Sequence, residues 1–385
     1  MSDSVGVPAR TVAGQLRPAV RPVLWTAAAA LALAAPLSLT SFWLQTGLFA
    51  MAAAVAAIGL TLLVGVTGQL SLGHAFYVAV GAYGYAFLAG AGPGAGLPTP
   101  VAAIGAVALA AAAGALFSPI AGRLRGIYLG LASLGLVFLG QHIAFNATAV
   151  TGGFNGRDVP PFVLFGFSFT ATDPELVVFN VPYTALERLW YLGLALVGVA
   201  YWYARNLLSG RPGRALVGVR DSAVAAAVMG VDVRRYKAAA FTVSSAYAGL
   251  GGVLLALVFG RIVPDSFGFV MSIDLLAMII IGGLGSIAGA VAGAVVVTTL
   301  PLVLSHYSDA IPFLAQPGEA GVGAAEAARL LYGVAVVAVL LFAPGGLAQL
   351  LHRPNAKEPS HETTTVGRGD HPVPRADRMQ QGEVR

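Results

Sequence analysis

A short polar stretch stands inside the longest uncharged part of the sequence. It reads "GQLSLGHAFYVAVGAY" over residues 68–83, and its candidate solute-path residues are Gly68, Gln69, Ser71, Gly73 and His74. An amide, a hydroxyl and an imidazole can hold a polar solute or brace neighbouring helices. Because glycine weakens a helix by about 1 kcal/mol relative to alanine, we predict an interrupted helix whose free backbone faces the protein interior. The helix that resumes after Leu72 would direct its N-terminus at the interruption, where a carboxylate is favoured.

Two interpretations of this stretch stay open. The glycines fit an interruption on the path of a solute and fit equally a face on which helices pack closely. For His74 we favour a structural hydrogen bond over a proton-carrying role, because no ionisable partner stands nearby in the sequence.

Enzymatic chemistry finds little support in the sequence. A phosphate-binding P-loop needs Gly-Lys before Ser or Thr, and the two lysines, Lys237 and Lys357, follow Tyr and Ala. The six histidines are scattered singly, and there are no cysteines, so neither a metal nor a cofactor is expected. The one acid at membrane depth, Asp274, begins a predicted helix and is interpreted as a helix-dipole partner rather than a proton relay. We therefore expect a chain that is not an enzyme.

The composition places these residues in a membrane. Of the 385 residues, 57% are hydrophobic and only 10% are charged, with a mean hydropathy of +0.80, whereas soluble domains carry roughly 25% charged residues. No charged residue occurs between Arg21 and Arg123. A spanning helix needs roughly 20 residues, so this run holds several spans. We predict an all-α, polytopic transmembrane helical bundle with broken or glycine-interrupted helices.

Turn signals and charges divide the chain into about ten predicted spans. They are residues 23–42, 47–66, 72–91, 98–121, 127–146, 188–204 and 238–260, two short spans between 275 and 308 that meet near Gly285–Gly293, and 330–347. With the N-terminus inside, all but four of the 22 basic residues fall in inner segments. The exceptions are Arg157, Arg188, Arg261 and Arg329. The positive-inside rule then predicts that both termini are cytoplasmic.

The segments outside the spans have different characters. We expect a cytoplasmic lead at 1–22, a membrane domain at 23–347 and a disordered polar tail at 348–385. The lead and the first apolar run also resemble a cleaved signal peptide, although a retained span is favoured. The outer loop at 147–187 is either a surface for a partner or a packed cap. The basic residues sit in short loops, which argues against a nucleic-acid partner.

The inner segment at 206–237 contains "GRALVGVRDSAVAAAVMGVDVRRYK". Asp221 or Ser222 can cap a helix there, and Gly230 can end it in the left-handed conformation. The helix between them has about two turns of small apolar residues and needs a surface to pack on. That surface is either the membrane or a groove on a soluble partner. Farther along, Gly285, Gly289 and Gly293 are spaced by four residues and predict a helix-packing face.

The inner segment resembles the coupling loop of ABC-importer permeases, whose motif is Glu-Ala-Ala, three residues, then Gly. Val224 takes the place of the Glu, a departure that leaves no acid for a salt bridge at that position. The ATPase-docking candidates that the resemblance implies are Asp221, Ala225, Ala226, Met229 and Gly230. The chain as a whole is similar to the LivM-like branched-chain amino acid permeases. Four segments carry this resemblance: the inner segment, "GQLSLGHAFYVAVGAY", "RLRGIYLGLASLGL" at 123–136 and "SIDLLAMIIIGGLGSIAGAVAGA" at 272–294.

This resemblance implies a transport subunit of the bacterial inner membrane. It would translocate leucine, isoleucine, valine or related amino acids, with ABC ATPase subunits, a second permease subunit and a periplasmic substrate-binding protein as partners. ATP hydrolysis would belong to the separate ATPase chain. The alternatives are a urea or short-chain amide importer and, with less support, a stand-alone secondary carrier or channel.

Overall fold

A computed structural model of the chain describes residues 30–92, 94–124, 126–170, 176–178, 181–307, 323–342 and 346–347. All of these residues belong to one unit, Met1–His352, and the second unit, Arg353–Arg385, lies outside the described residues. The predicted lead at 1–22 and the whole of the predicted tail at 348–385 are therefore also outside them.

The described part of the chain is built mainly from helices. They are α1 Ser41–Leu60, α2 His74–Ala89, α3 Thr99–Arg123, α4 Ile127–Asn146, α5 Ala185–Ser209, α6 Arg211–Asp221, α7 Ala223–Val228, α8 Val233–Phe259, α9 Phe269–Gly282, α10 Ile287–His306 and α11 Ala324–Phe342. Helix α1 continues as a π-helical turn over Thr61–Val66. Single turns of helix cover Ala35–Leu37, Thr148–Thr151, Gly153–Asn155 and Pro264–Phe267.

Six very short strands complete the described elements. They are β1 Arg157–Asp158, β2 Val163–Leu164, β3 Phe167–Ser168, β4 Leu176–Val178, β5 Val181–Tyr183 and β6 Arg261–Ile262. They pair antiparallel as β1 with β6, β2 with β3 and β4 with β5. Most of them belong to the predicted outer loop.

Helices α1 and α8 form the centre of the bundle. Both are apolar around most of their circumference and mostly buried, as expected of helices surrounded by other helices. Gly81 of α2 and Gly249 of α8 let two backbones touch, since a Cβ atom on Gly81 would lie 2.2 Å from the Gly249 carbonyl oxygen. Helices α3 and α4, in contrast, expose large apolar side chains such as Leu116 and Tyr128, which fits contact with lipid.

Five described helices are long and apolar enough to cross a membrane. They are Ser41–Val66, Thr99–Arg123, Ile127–Asn146, Val233–Phe259 and Ile287–His306. Helix α9 is apolar but has only 14 residues, or about 21 Å at 1.5 Å per residue, less than the roughly 30 Å of a hydrocarbon core. These helices make the chain a multi-pass helical membrane protein, and the count of ten spans stays a prediction.

Several predicted helix ends are shifted. Helix α4 has the predicted bounds, whereas α1 begins at Ser41 rather than at residue 47 because Thr40 before it is extended. The two spans predicted after Leu275 meet at Gly283–Ser286, and α9 already begins at Phe269. The last helix begins at Ala324 rather than at residue 330.

The described part of the outer loop packs on the helix ends below it. Tyr85 of α2 donates a hydrogen bond to the Pro160 carbonyl at 3.1 Å, and Thr99 of α3 exchanges two bonds with the Val163 backbone at 2.8 Å. The Arg157 guanidinium bonds to the Ala86 carbonyl at 3.2 Å. These contacts fit the interpretation of this loop as a cap.

Candidate translocation and docking sites

The chain leaves the helical conformation between α1 and α2, over residues 67–73. Gly68 in this break has a φ of +68°, a conformation that glycine adopts at no steric cost. The Thr67 hydroxyl donates to the Leu63 carbonyl at 2.6 Å, and the Gln69 amide donates to the Thr67 hydroxyl at 2.9 Å. The polar side chains of Gln69, Ser71 and His74 are all buried. The sequence motif thus forms an interrupted helix inside the protein.

Serine hydroxyls from two other helices hold the start of α2. The Leu72 amide donates to Ser133 Oγ of α4 at 2.8 Å, and the Ala75 amide donates to Ser272 Oγ of α9 at 3.1 Å. A helix start has free amide donors that need acceptors. Here the hydroxyls take the position at which we predicted a favourable site for a carboxylate, so a ligand would have to displace them.

Gly73 sits directly against the backbone of α4. A Cβ atom on Gly73 would lie 2.6 Å from the Ser133 carbonyl oxygen and 3.1 Å from the Ser133 Cβ. Its φ of −98° is accessible to any residue, so close packing rather than conformation requires glycine here. The packing interpretation therefore describes Gly73 well.

His74 is fully enclosed by its neighbours. Its side chain has no exposed area, and neither ring nitrogen bonds to a described residue within ordinary distance and angle limits. The backbone of Ala56 in α1 is the polar group that faces the ring. The edge of the ring meets Tyr77 at 6.2 Å between centroids, so His74 packs as an aromatic side chain.

The predicted docking helix is α7, and it presents an apolar face to solvent. Val224, Val228 and Met229 are 77%, 85% and 74% exposed. The Ser222 hydroxyl caps α7 by accepting from the Ala225 amide at 3.2 Å, and Gly230 ends it with a φ of +84°, as predicted.

Two docking candidates lie differently from our expectation. Ala226 is only 1% exposed, because it points towards the rest of the chain rather than to solvent, so it does not belong to the exposed face. Asp221 does not cap α7. Its carboxylate pairs with the neighbouring Arg220 at 3.0 Å, and both side chains are substantially exposed.

The glycines of the α9–α10 hairpin serve two purposes. Gly289 and Gly293 of α10 lie against α9, where Cβ atoms would meet the Gly282 and Met278 carbonyl oxygens at 2.2 and 1.9 Å. Gly285 is not on that helix face, because it lies in the turn with a φ of +84°. There it contacts the π-helical turn after α1, since a Cβ atom on Gly65 would be 2.3 Å from the Gly285 nitrogen.

Asp274 lies beyond the first turn of α9, contrary to our prediction of a helix-dipole partner. Its carboxylate accepts a hydrogen bond from the Tyr332 hydroxyl of α11 at 2.5 Å. Asp274 therefore links two helices. Among the described residues, no group of three or more His, Asp or Glu side chains could hold a metal ion.

Comparison with known families decides what kind of protein carries these sites. Residues 22–340 match the model of the family described as "Branched-chain amino acid transport system / permease component". The chain belongs to this permease family. Every site described above falls within the matched residues.

Permeases with curated names are similar over most of the chain. The chain is 30% identical over 310 residues to the high-affinity branched-chain amino acid transport system permease protein LivM of Escherichia coli K12, covering 78% of this chain and 68% of that protein. The LivM protein of Salmonella typhimurium shows the same identity and coverage. The LivH permease protein of E. coli K12 is 27% identical over 269 residues, covering 66% of this chain and 82% of LivH. No solved structure is significantly similar to the chain.

The four sequence segments that resemble this permease family meet at the α1–α2 break. Ser133 comes from the second segment, and Ser272 opens the fourth. Arg220 in the third segment bonds to the Gly65 carbonyl at 3.1 Å, just before the break. Sequence reasoning missed all three residues. The available signal was that each of them lies inside one of the four segments that carry the family resemblance.

Proposed function

We propose that the chain is the membrane-spanning permease subunit of an ATP-driven importer of branched-chain amino acids in the bacterial inner membrane. Membership of the permease family supports this function. The observation that carries it within the structure is helix α7, a six-residue helix with an exposed apolar face. A helix of six residues is only marginally stable on its own. Its exposed apolar face is suited to binding in a groove on a partner protein.

The partners follow from this proposal. ABC ATPase subunits would bind α7 and hydrolyse ATP, and a periplasmic substrate-binding protein would deliver the amino acid. LivM and LivH are both named as permease proteins of branched-chain amino acid transport systems, and the similarity of the chain to both supports a second permease of the same fold beside it.

The proposed topology has both termini in the cytoplasm, a membrane domain at 23–347, an outer loop at 147–187, a coupling loop at 206–237 and a cytoplasmic tail at 348–385. Two features support it. Trp202 and Tyr203, both exposed, stand beside Arg205 near the end of α5, as aromatic and basic residues do at a cytoplasmic membrane interface. Basic residues of α6 and α8 flank α7 in the chain.

The α1–α2 break is the proposed element of the solute path. Its residues Gly68, Gln69, Ser71, Gly73 and His74 lie in the interior where segments from several helices converge. Gln69 keeps an amide oxygen without a hydrogen-bond partner among the described residues, so it retains capacity to bind a polar group. An importer of urea or short amides stays the alternative for the cargo.

An association experiment tests the proposed docking surface. We expect that Val228→Asp and Met229→Asp prevent co-purification of ATPase subunits with the tagged full chain, because a carboxylate would have to be buried in an apolar groove. Phe154→Asp is the matched control, since Phe154 is also 81% exposed but belongs to the outer loop. Unchanged ATPase recovery with both α7 variants would contradict docking through α7.

A further inference from the structure

One arginine joins the docking segment to the break between α1 and α2. Arg220, in the last turn of α6, donates from a guanidinium nitrogen to the Gly65 carbonyl at 3.1 Å. Gly65 belongs to the π-helical turn, and the amides of Gly68 and Gln69 bond to the carbonyls of Val64 and Leu63. Those bonds bypass the Gly65 carbonyl, so among the described residues Arg220 supplies a donor that the backbone does not.

The side chain of Arg220 also fits against the break itself. A Cβ atom on Gly68 would lie 3.1 Å from Cγ of Arg220, which is closer than carbon atoms normally pack. Gly68 therefore serves two needs, because its positive φ turns the chain and its missing side chain admits Arg220. The ion pair with Asp221 holds the guanidinium from the other side at 3.0 Å.

A second contact ties the break to the far side of the docking segment. The Gln69 amide lies 3.4 Å from the carbonyl oxygen of Lys237, in the first turns of α8. Arg220 precedes α7 in the chain and Lys237 follows it. The exposed helix is thus attached to the break on both sides, through α6 and through α8.

The residues around the break also contact other membrane helices. Gly65 touches Gly285 backbone to backbone in the α9–α10 turn. Seven residues after Gly65, the Leu72 amide is bound by Ser133 of α4. A displacement of α6 would consequently reach both α4 and the α9–α10 hairpin.

We propose that Arg220 is a positioning residue that transmits movement of α7 to the α1–α2 break. The inference rests on the proposed function, because the movement would be driven by an ATPase bound to α7. Arg220 is not part of the exposed face of α7, and it meets the break by bonding to the Gly65 carbonyl and lying beside Gly68. Its removal should therefore separate ATP hydrolysis from transport while leaving both partners bound.

The test uses the full chain reconstituted in proteoliposomes with its ATPase, second permease and binding protein. The variant is Arg220→Gln, and Arg214→Gln is the matched control, because Arg214 lies on the same helix and, among the described residues, its side chain bonds only to the Ser209 carbonyl. The quantity measured is labelled leucine taken up per ATP hydrolysed. We expect about a tenfold fall with Arg220→Gln, a typical size for coupling between two sites, and no change with Arg214→Gln.

Two further readouts distinguish transmission from a structural role. Recovery of the ATPase with the tagged chain and the rate of ATP hydrolysis should both stay at the wild-type level in Arg220→Gln. Arg220→Lys should restore part of the coupling, since an ammonium group can still donate to the Gly65 carbonyl. It lacks the separate nitrogens with which the guanidinium bonds to Gly65 and to Asp221 at the same time.

The possible failures can be told apart. Normal uptake per ATP in Arg220→Gln, beside a functional wild type, would overturn only the role of Arg220. Loss of ATPase recovery together with uptake would also overturn it, because the residue would then serve assembly. A wild-type complex without ATP-driven uptake would overturn the proposed function and this inference with it.

Discussion

Substitution of Gly73 by alanine should destabilise the protein through the contact between α2 and α4. The added Cβ would lie 2.6 Å from the Ser133 carbonyl oxygen and 3.1 Å from the Ser133 carbonyl carbon. Carbon atoms pack best at about 3.5–4 Å, so the two backbones would have to separate by roughly half an ångström. The added Cβ is fixed to the backbone of α2, and the Ser133 atoms that it meets are backbone atoms of α4. Rotation of a side chain therefore cannot relieve the clash.

The size of the effect follows from two costs. Overpacking of a filled interior typically costs about 1–3 kcal/mol. The same separation stretches the 2.8 Å bond from the Leu72 amide to Ser133, and weakening this partly buried bond adds about 1 kcal/mol. Since Gly73 precedes the first helical residue, alanine recovers little of the helix preference. We expect a total loss of about 2–4 kcal/mol for Gly73→Ala and a larger loss for Gly73→Leu.

The assay is the thermal stability of the detergent-purified chain, read as the fraction that remains monodisperse after heating. Gly135→Ala is the matched control, because Gly135 lies in α4 beyond Ser133 and a Cβ atom there would meet nothing within 4 Å. That control should be neutral or stabilised by up to about 1 kcal/mol. A Gly73→Ala variant as stable as the wild type would refute the close contact between α2 and α4. A folded Gly73→Leu complex with full uptake would show that the break is not part of the solute path.

Three further substitutions test separate parts of the structure. His74→Gln should leave uptake and its dependence on pH near normal, because the enclosed ring acts by packing; loss of uptake in a well-folded complex would contradict this. Gly230→Val should weaken ATPase recovery, since a positive φ costs a β-branched residue at least about 1–2 kcal/mol, whereas Gly218→Ala in α6 should not. Tyr332→Phe should lower stability by about 1–3 kcal/mol in the heating assay by removing the hydrogen bond to the Asp274 carboxylate, and unchanged stability would argue against the 2.5 Å bond.

Much of the helix pattern was predictable because it depends on local features. The apolar run that forms α4 is bounded by charge and turn residues, and its predicted bounds are those of the structure. The interruption at 67–73 was visible in its glycines, and the end of α7 was visible in Gly230. These features require only the preferences of neighbouring residues.

The contacts that define the site were not predictable in the same way. Ser133 and Ser272 hold the start of α2 from positions 61 and 197 residues away, and the bond from Arg220 to Gly65 spans 155 residues. Spacing along a chain carries no information about such pairings. For the same reason the sequence placed Ala226 on the docking surface, although the packing of α7 turns that residue inward.

ATP-dependent uptake of labelled leucine by the reconstituted complex tests the central claim most directly. The account predicts uptake that requires the binding protein, the ATPase and ATP together, and that is lost with Met229→Asp, while the Phe154→Asp control still co-purifies with the ATPase. Leucine uptake by the chain without an ATPase would contradict the account and indicate a secondary carrier or channel. ATP-dependent uptake of urea but not of leucine, isoleucine or valine would contradict the proposed cargo.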